Sequence, residues 1–157
     1  MTREKSPRRI KLIIDSNLDN VPLVGTSINK LCSTLALNEV ECCEIEICVV
    51  EAVNNAVIHA YGREKGHEVE VVFSIYHEQI VIEIKDNGKS LKDRTPPTLD
   101  FDPRDRQNLP VGGMGLFIIH KVMNKVHYST YKGVNTFTLT KVIDTHRMSR
   151  TKASSHC

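Results

Sequence analysis

The chain has no tryptophan and only four phenylalanines and four tyrosines among its 157 residues. Aromatic platforms of the kind that stack single-stranded nucleic acid are therefore scarce. No apolar run approaches the roughly 20 residues that a membrane-spanning helix needs. The first eleven residues are charged and lack an apolar signal core, so no export signal is read and the cytoplasm is the expected compartment. The five cysteines, Cys32, Cys42, Cys43, Cys48 and Cys157, form no C-x-x-C pair, and no histidine stands at zinc-finger spacing from them. An odd count without an export signal reads as reduced thiols, with Cys32, Cys42 and Cys48 acting as small core hydrophobes.

Charge is small in sum and uneven in place. Residues 1–11 carry five Lys/Arg against one Glu, and residues 141–157 carry four against one Asp. For the total to be +2, the body between them, residues 12–140, must carry −5. A nucleic-acid binder concentrates basic charge on its folded body, so direct nucleic-acid binding is not expected here. Residues 1–9 and 143–157 read instead as flexible basic tails on one domain, residues 10–142, a length sufficient for a proper core.

Periodicity divides that domain into eight elements. A strand is expected over 10–15, a helix from a turn at 17–20 to about residue 37, and a second helix over 39–61. Asn38 followed by Glu41 has the form of a capping box opening the second helix, and Gly62 ends it. Strands over 68–76 and 79–85 form a hairpin, and strands over 126–131 and 134–142 form another. Between the hairpins lies a proline-containing loop, 87–111, of a length that marks either a functional lid or a disordered segment. A helix over 113–125 follows it, with Leu116, Ile119, Val122 and Met123 as its apolar stripe. The order β-α-α-β-β-α-β-β predicts a two-layer α/β sandwich with a mixed, mostly antiparallel sheet and its helices on one face.

Three stretches carry candidate chemistry. In E-A-V-N-N-A-V-I-H-A-Y, residues 51–61, Glu51, Asn55 and His59 recur every fourth position and so share one helical stripe. A carboxylate and an amide one turn apart can take a proton and hold a cation; the same stripe also reads as a solvated polar face. In I-K-D-N-G-K-S, residues 84–90, Asp86 ends a strand, and Gly88 lets the backbone approach a flat ligand. A carboxylate there accepts a hydrogen bond from an exocyclic amine, although D-N-G is also ordinary turn sequence. In G-G-M-G-L, residues 112–116, glycines at a helix start can present N–H groups to an anion, or serve only as a hinge. This is neither a Walker A loop, since no G-K-S or G-K-T follows, nor a Rossmann turn, since no strand directly precedes it.

Taken together, E-x-x-x-N on a helix, D-x-G at a strand end and G-x-G after a long loop resemble the nucleotide-binding boxes of the GHKL (Bergerat-fold) ATPase/kinase superfamily. The resemblance covers about residues 10–142, and the helical box and small size are most similar to the anti-sigma-factor serine/threonine kinases. It implies ATP and Mg²⁺ as cofactors, a sigma factor and an anti-sigma-factor antagonist as partners, the antagonist being phosphorylated, and a homodimer. Neither nucleic acid nor membrane is implied as a partner.

By resemblance Glu51 is the general base and Asn55 the Mg²⁺ ligand. Asp86 recognises the adenine amino group, and Gly88 leaves space beside the ring. Gly113, Met114, Gly115 and Leu116 lie at the phosphates as a lid over 89–111 closes, and Thr136 assists adenine recognition. The chain departs from the family at Ser90, where many members have glycine, and at Pro110 and Val111, where some kinases of this group carry Arg. Arg104 and Arg106 are the candidates to replace that charge. Without it turnover is expected to be slow, which keeps open a nucleotide-dependent binding module lacking kinase activity.

Overall fold

The computed structural model describes residues 6–90 and 114–144. Most of the expected lid, with Arg104, Arg106, Val111 and Gly113, lies outside the described residues, as do the ends of both basic tails. Strand β1 (Arg8–Asp15) opens the fold, so Arg8 and Arg9 belong to the sheet. A single 3-10 turn, Leu18–Asn20, capped by the Asn17 side chain, leads into α1 (Val21–Ser33). Helix α2 (Glu39–Asn55) follows, then β2 (Glu68–Ile75), β3 (Gln79–Asp86), α3 (Met114–Val122), β4 (Lys125–Tyr131) and β5 (Val134–Val142).

Helix α1 stops four residues short of the expected end. The Ser33 and Thr34 hydroxyls donate to the carbonyls of Lys30 and Leu31, and the Thr34 N–H also turns to Leu31. Such local bonds compete with continued helix. The capping box of α2 is present as expected: Asn38 accepts from the Glu41 N–H, and the Glu41 carboxylate accepts from the Asn38 N–H.

The far end of α2 departs from the sequence pattern. Regular helix ends at Asn55, and Ala56–Ala60 form a π-helical turn in which the Tyr61 N–H reaches Ala56. The wider turn leaves the Ala60 carbonyl to accept the Lys89 N–H at 2.8 Å. It also breaks the every-fourth-residue stripe after Asn55, and His59 is exposed.

The sheet runs in the order β1-β2-β3-β5-β4, and each of its four pairings is antiparallel. The expected mixed character is corrected by the connections. Helices α1 and α2 form a hairpin that returns the chain to the end where β1 stopped, so Asp15 pairs with Glu68 and β2 runs back. Strands β3 and β4 do run the same way, but β5 inserts between them.

One face of the sheet is dry. Ile80, Ile82 and Ile84 on β3, Phe73 on β2 and Leu139 on β5 are buried against Ile28 of α1, Ile45, Val49 and Val53 of α2, and Ile119 of α3. The opposite face carries a charged ladder, with Lys11, Glu70, Lys85 and Glu83 in ion pairs. At the C-terminus of α3 the Lys141 ammonium donates to the Val122 carbonyl at 2.8 Å, a cation placed where the helix dipole favours one. No helix among the described residues is long and apolar enough to cross a membrane.

Candidate nucleotide site

A cleft of about 360 Å³, counted to its open mouth, lies between the end of α2, the start of α3 and the sheet. Its walls are Ala52, Asn55 and Ala56 from α2 and the π turn, Ile84 and Asp86 from β3, Leu116 from α3, Tyr128 from β4 and Phe137 from β5. The alanines keep the helix side flat, while Tyr128 and Phe137 meet edge to face with ring centroids 6.2 Å apart. The cleft thus offers apolar walls with a carboxylate and an amide, a combination suited to a planar, partly polar ring.

Asp86 is the buried polar group of this cleft, 8 % exposed. Its Oδ1 accepts from the Gly88 N–H at 2.9 Å, an Asx turn, and from Asn135 Nδ2 at 2.7 Å. Sequence reasoning found the turn but not Asn135, which is 1 % exposed and directly opposite Asp86 in the β3–β5 register. Only the strand register marks it, and that register is not written in local sequence.

The same register places Thr136 elsewhere. Its row across the sheet is Lys85, Thr136 and Ser129, one residue out of step with Asp86, Asn135 and Thr130. Side chains alternate between faces along a strand, so Thr136 lies on the face opposite the cleft. The residue opposite Asp86 is Asn135 rather than Thr136.

Gly88 is needed beside the π turn. A β-carbon there would meet the Ala60 carbonyl oxygen, and would stand 2.6 Å from its carbonyl carbon and 2.8 Å from its Cβ. The missing side chain makes room for the π turn. Tyr61 holds the same junction, its hydroxyl donating to the Glu68 carbonyl at 2.7 Å and accepting from the Asn87 N–H at 2.8 Å. Burial pushes the Tyr61 phenol pKa up, only partly opposed by the Asn87 N–H, so at neutral pH it keeps the proton it donates.

Glu51 and Asn55 are both half-buried, and Asn55 lines the cleft. Neither side chain makes a hydrogen bond or ion pair among the described residues. Glu51 sits against Gly115, where a β-carbon would strike its Oε2 and lie 3.0 Å from its Cδ. Gly115 is the second residue of α3, so the carboxylate faces the end of that helix whose first N–H groups lack internal partners. Met114, the first residue of α3, is exposed, and Leu116 faces the cleft. The structure thus brings together Glu51, Asn55, Asp86, Gly88, Gly115 and Leu116, whereas Thr136 stands apart.

No group of three His, Cys, Asp or Glu side chains that could hold a metal occurs among the described residues. The donor set nevertheless fits a magnesium ion carried by a polyphosphate. Such an ion takes one or two protein oxygens and fills its shell with phosphate and water, and the Asn55 amide is one such oxygen.

Comparison with known proteins bears on the fold and the family. The fold is similar to a solved Mycobacterium tuberculosis structure containing RsbU and RsbW domains, with a TM-score of 0.61 at 14 % identity, covering 86 % of this chain and 32 % of that one. The serine-protein kinase RsbW of Bacillus subtilis is 25 % identical over 150 residues, 88 % of each chain. That of Listeria monocytogenes is 29 % identical over 139 residues, covering 87 % of this chain and 88 % of its own. That of Oceanobacillus iheyensis is 35 % identical over 96 residues, 58 % of this chain and 60 % of its own. Residues 14–141 match the family described as "Histidine kinase-like ATPase domain", and with most of the chain inside that match the protein belongs to the histidine kinase-like ATPase family.

Proposed function

We propose that this chain is an anti-sigma factor with ATP-dependent serine/threonine kinase activity, binding a sigma factor and phosphorylating an anti-sigma-factor antagonist. The observation that carries the reading is the placement of Glu51. Its carboxylate is one helical turn from the cleft-lining Asn55 and rests against Gly115 at the start of α3, and Asp86 lines the same cleft. Eight serine-protein kinases named RsbW from five species, the three above among them, match 58 % to 88 % of the chain and support it further.

In this reading the adenine ring lies between the alanines of α2 and the Ile84, Tyr128 and Phe137 side of the sheet. Asp86 accepts the exocyclic amine. The N–H groups at the start of α3, with Gly113 before it, receive the phosphates. Asn55 would hold Mg²⁺ against them, which would neutralise charge on the phosphate oxygens. Glu51 takes the proton from a serine or threonine hydroxyl of the antagonist as its oxygen attacks the γ-phosphorus, and ADP leaves. The domain works as a homodimer in the cytoplasm.

Incubating the protein with γ-labelled ATP, Mg²⁺ and a candidate antagonist tests this. Label should pass to a serine or threonine of the antagonist. Glu51→Gln should lower the rate by roughly 10²- to 10⁴-fold, the worth of a general base, with nucleotide affinity preserved. Full transfer by that variant would remove Glu51 from the mechanism. Val111, in place of the Arg of some relatives, favours the second reading, a nucleotide-dependent clamp without transfer. Wild-type protein that binds ATP and the sigma factor but labels nothing would establish it.

A further inference from the structure

Helix α2 buries one apolar face and shows a second apolar line to solvent. Ile45, Val49 and Val53 face the core, yet Val40, Cys43 and Ile47 are exposed, Val40 by 67 % and Ile47 by 46 %. Steps of three and four residues set these three on one side of the helix, the spacing of a coiled-coil seam, with β-branched residues at its two equivalent positions. Glu39 and Glu44 flank the seam, one on each side, and neither makes an ion pair or side-chain hydrogen bond among the described residues. A further flanking carboxylate, Glu46, is taken by the Asn29 amide of α1, which donates to it at 2.7 Å. Helix α2 holds five glutamates and no lysine or arginine, and α1 beside it has Lys30 as its one cation.

We propose that this outer face of α2 docks a basic amphipathic helix of a partner protein, its apolar residues set on Val40, Cys43 and Ile47 and its lysines or arginines against Glu39 and Glu44. Apolar side chains in line on a helix are the anchors by which one helix receives another. Flanking charges of one sign then choose the partner. A second copy of α2 would bring glutamate against glutamate, which disfavours self-pairing through this face. Anionic lipid and nucleic acid are repelled by the same carboxylates. The seam covers about two turns, about 12 Å at 1.5 Å per residue, which fits a transient complex steered by charge. The face is separate from the nucleotide cleft, which α2 lines from its other end with Ala52 and Asn55, and the proposal does not depend on what that cleft binds.

Two dye-labelled synthetic peptides test this, each an amphipathic helix with leucine at the seam positions. One carries lysine at the flanking positions and the other glutamate. In anisotropy titrations with the full chain in reducing buffer, wild type should bind the lysine peptide at least tenfold more tightly than the glutamate peptide, and more weakly as salt rises. The double variant Val40→Asp, Ile47→Asp removes the apolar contact while adding negative charge. It should lose at least tenfold of the lysine-peptide affinity, whereas attraction to net charge alone would keep or raise that affinity. The double variant Glu39→Lys, Glu44→Lys should reverse the preference between the peptides. Equal binding of both peptides by wild type, binding of neither, or undiminished lysine-peptide binding by the aspartate variant overturns the proposal. So does wild-type self-association that the aspartate variant abolishes, which would assign the seam to a second copy of the chain.

Discussion

Gly88 and Gly115 both stand where a side chain has no room, yet what they face differs in kind. Gly88 faces the Ala60 main chain, fixed by the π turn and by the Lys89 N–H on its carbonyl. Gly115 faces the Glu51 side chain, whose carboxylate can swing aside while its Cβ, 3.2 Å from an added β-carbon, has to give only slightly. Alanine should therefore cost stability at one position and activity at the other. Gly88→Ala should destabilise the fold by about 1–3 kcal/mol, the usual cost of forcing atoms into a filled site. Gly115→Ala should leave the denaturation midpoint close to that of wild type while displacing the carboxylate and slowing phosphotransfer at least tenfold, by roughly the 1.4 kcal/mol that such a factor represents. Chemical denaturation and the labelled-ATP assay, run on both variants, separate the two effects. A Gly115→Ala protein with undiminished transfer would mean that Glu51 works from another position.

The elements that carry the site meet at one junction, where the π turn, the start of β2 and the turn after β3 are pinned by the Tyr61 hydroxyl. Tyr61→Phe keeps the ring, which stacks on His67 at 4.5 Å, but leaves the Asn87 N–H and Glu68 carbonyl without that partner. A loss of roughly 1–3 kcal/mol is expected, with weaker nucleotide binding because Asn87 adjoins Asp86. Calorimetric melting and ADP titration of the variant measure both, and a change in melting alone would confine Tyr61 to structure. Element existence was legible in the sequence because apolar periodicity and capping chemistry act over a few residues: the Asn38–Glu41 box and the Asp86–Gly88 turn form as their spacing suggests. The π turn was not, since the Ala60 carbonyl it leaves over is taken up by Lys89, beyond the end of β3 and far along the chain. The pairing of Asp86 with Asn135 rather than Thr136 has the same origin. A one-residue step in register moves a side chain to the other face of the sheet, and register is set by the whole sheet.

At the scale of the whole molecule, α1 and α2 close over the sheet and seal two thiols into the core. Cys32 and Cys48 have no exposed surface. Burial pushes the Cys32 thiol up to about 12, with Cys42 adding to it, and burial also carries Cys48 to about 12 although Lys141 pulls the other way. The ordinary value is 9.0, so between these limits an unfolded chain releases protons that the folded chain keeps. The stability these thiols contribute is complete below pH 9.0 and declines as pH rises toward 12. Each thiol adds a slope of up to about 1.4 kcal/mol per pH unit in that window. Lysines and tyrosines titrate in the same range, so the expected signature is a difference between proteins. In reducing buffer, Cys48→Ala should be less stable than wild type at pH 7, through its cavity, and should lose stability less steeply between pH 9 and pH 10.5. Urea denaturation at these three pH values checks it. Parallel profiles would mean that the buried thiol takes no part in the alkaline loss of the fold, and that water reaches the core beneath the nucleotide cleft before the thiol ionises.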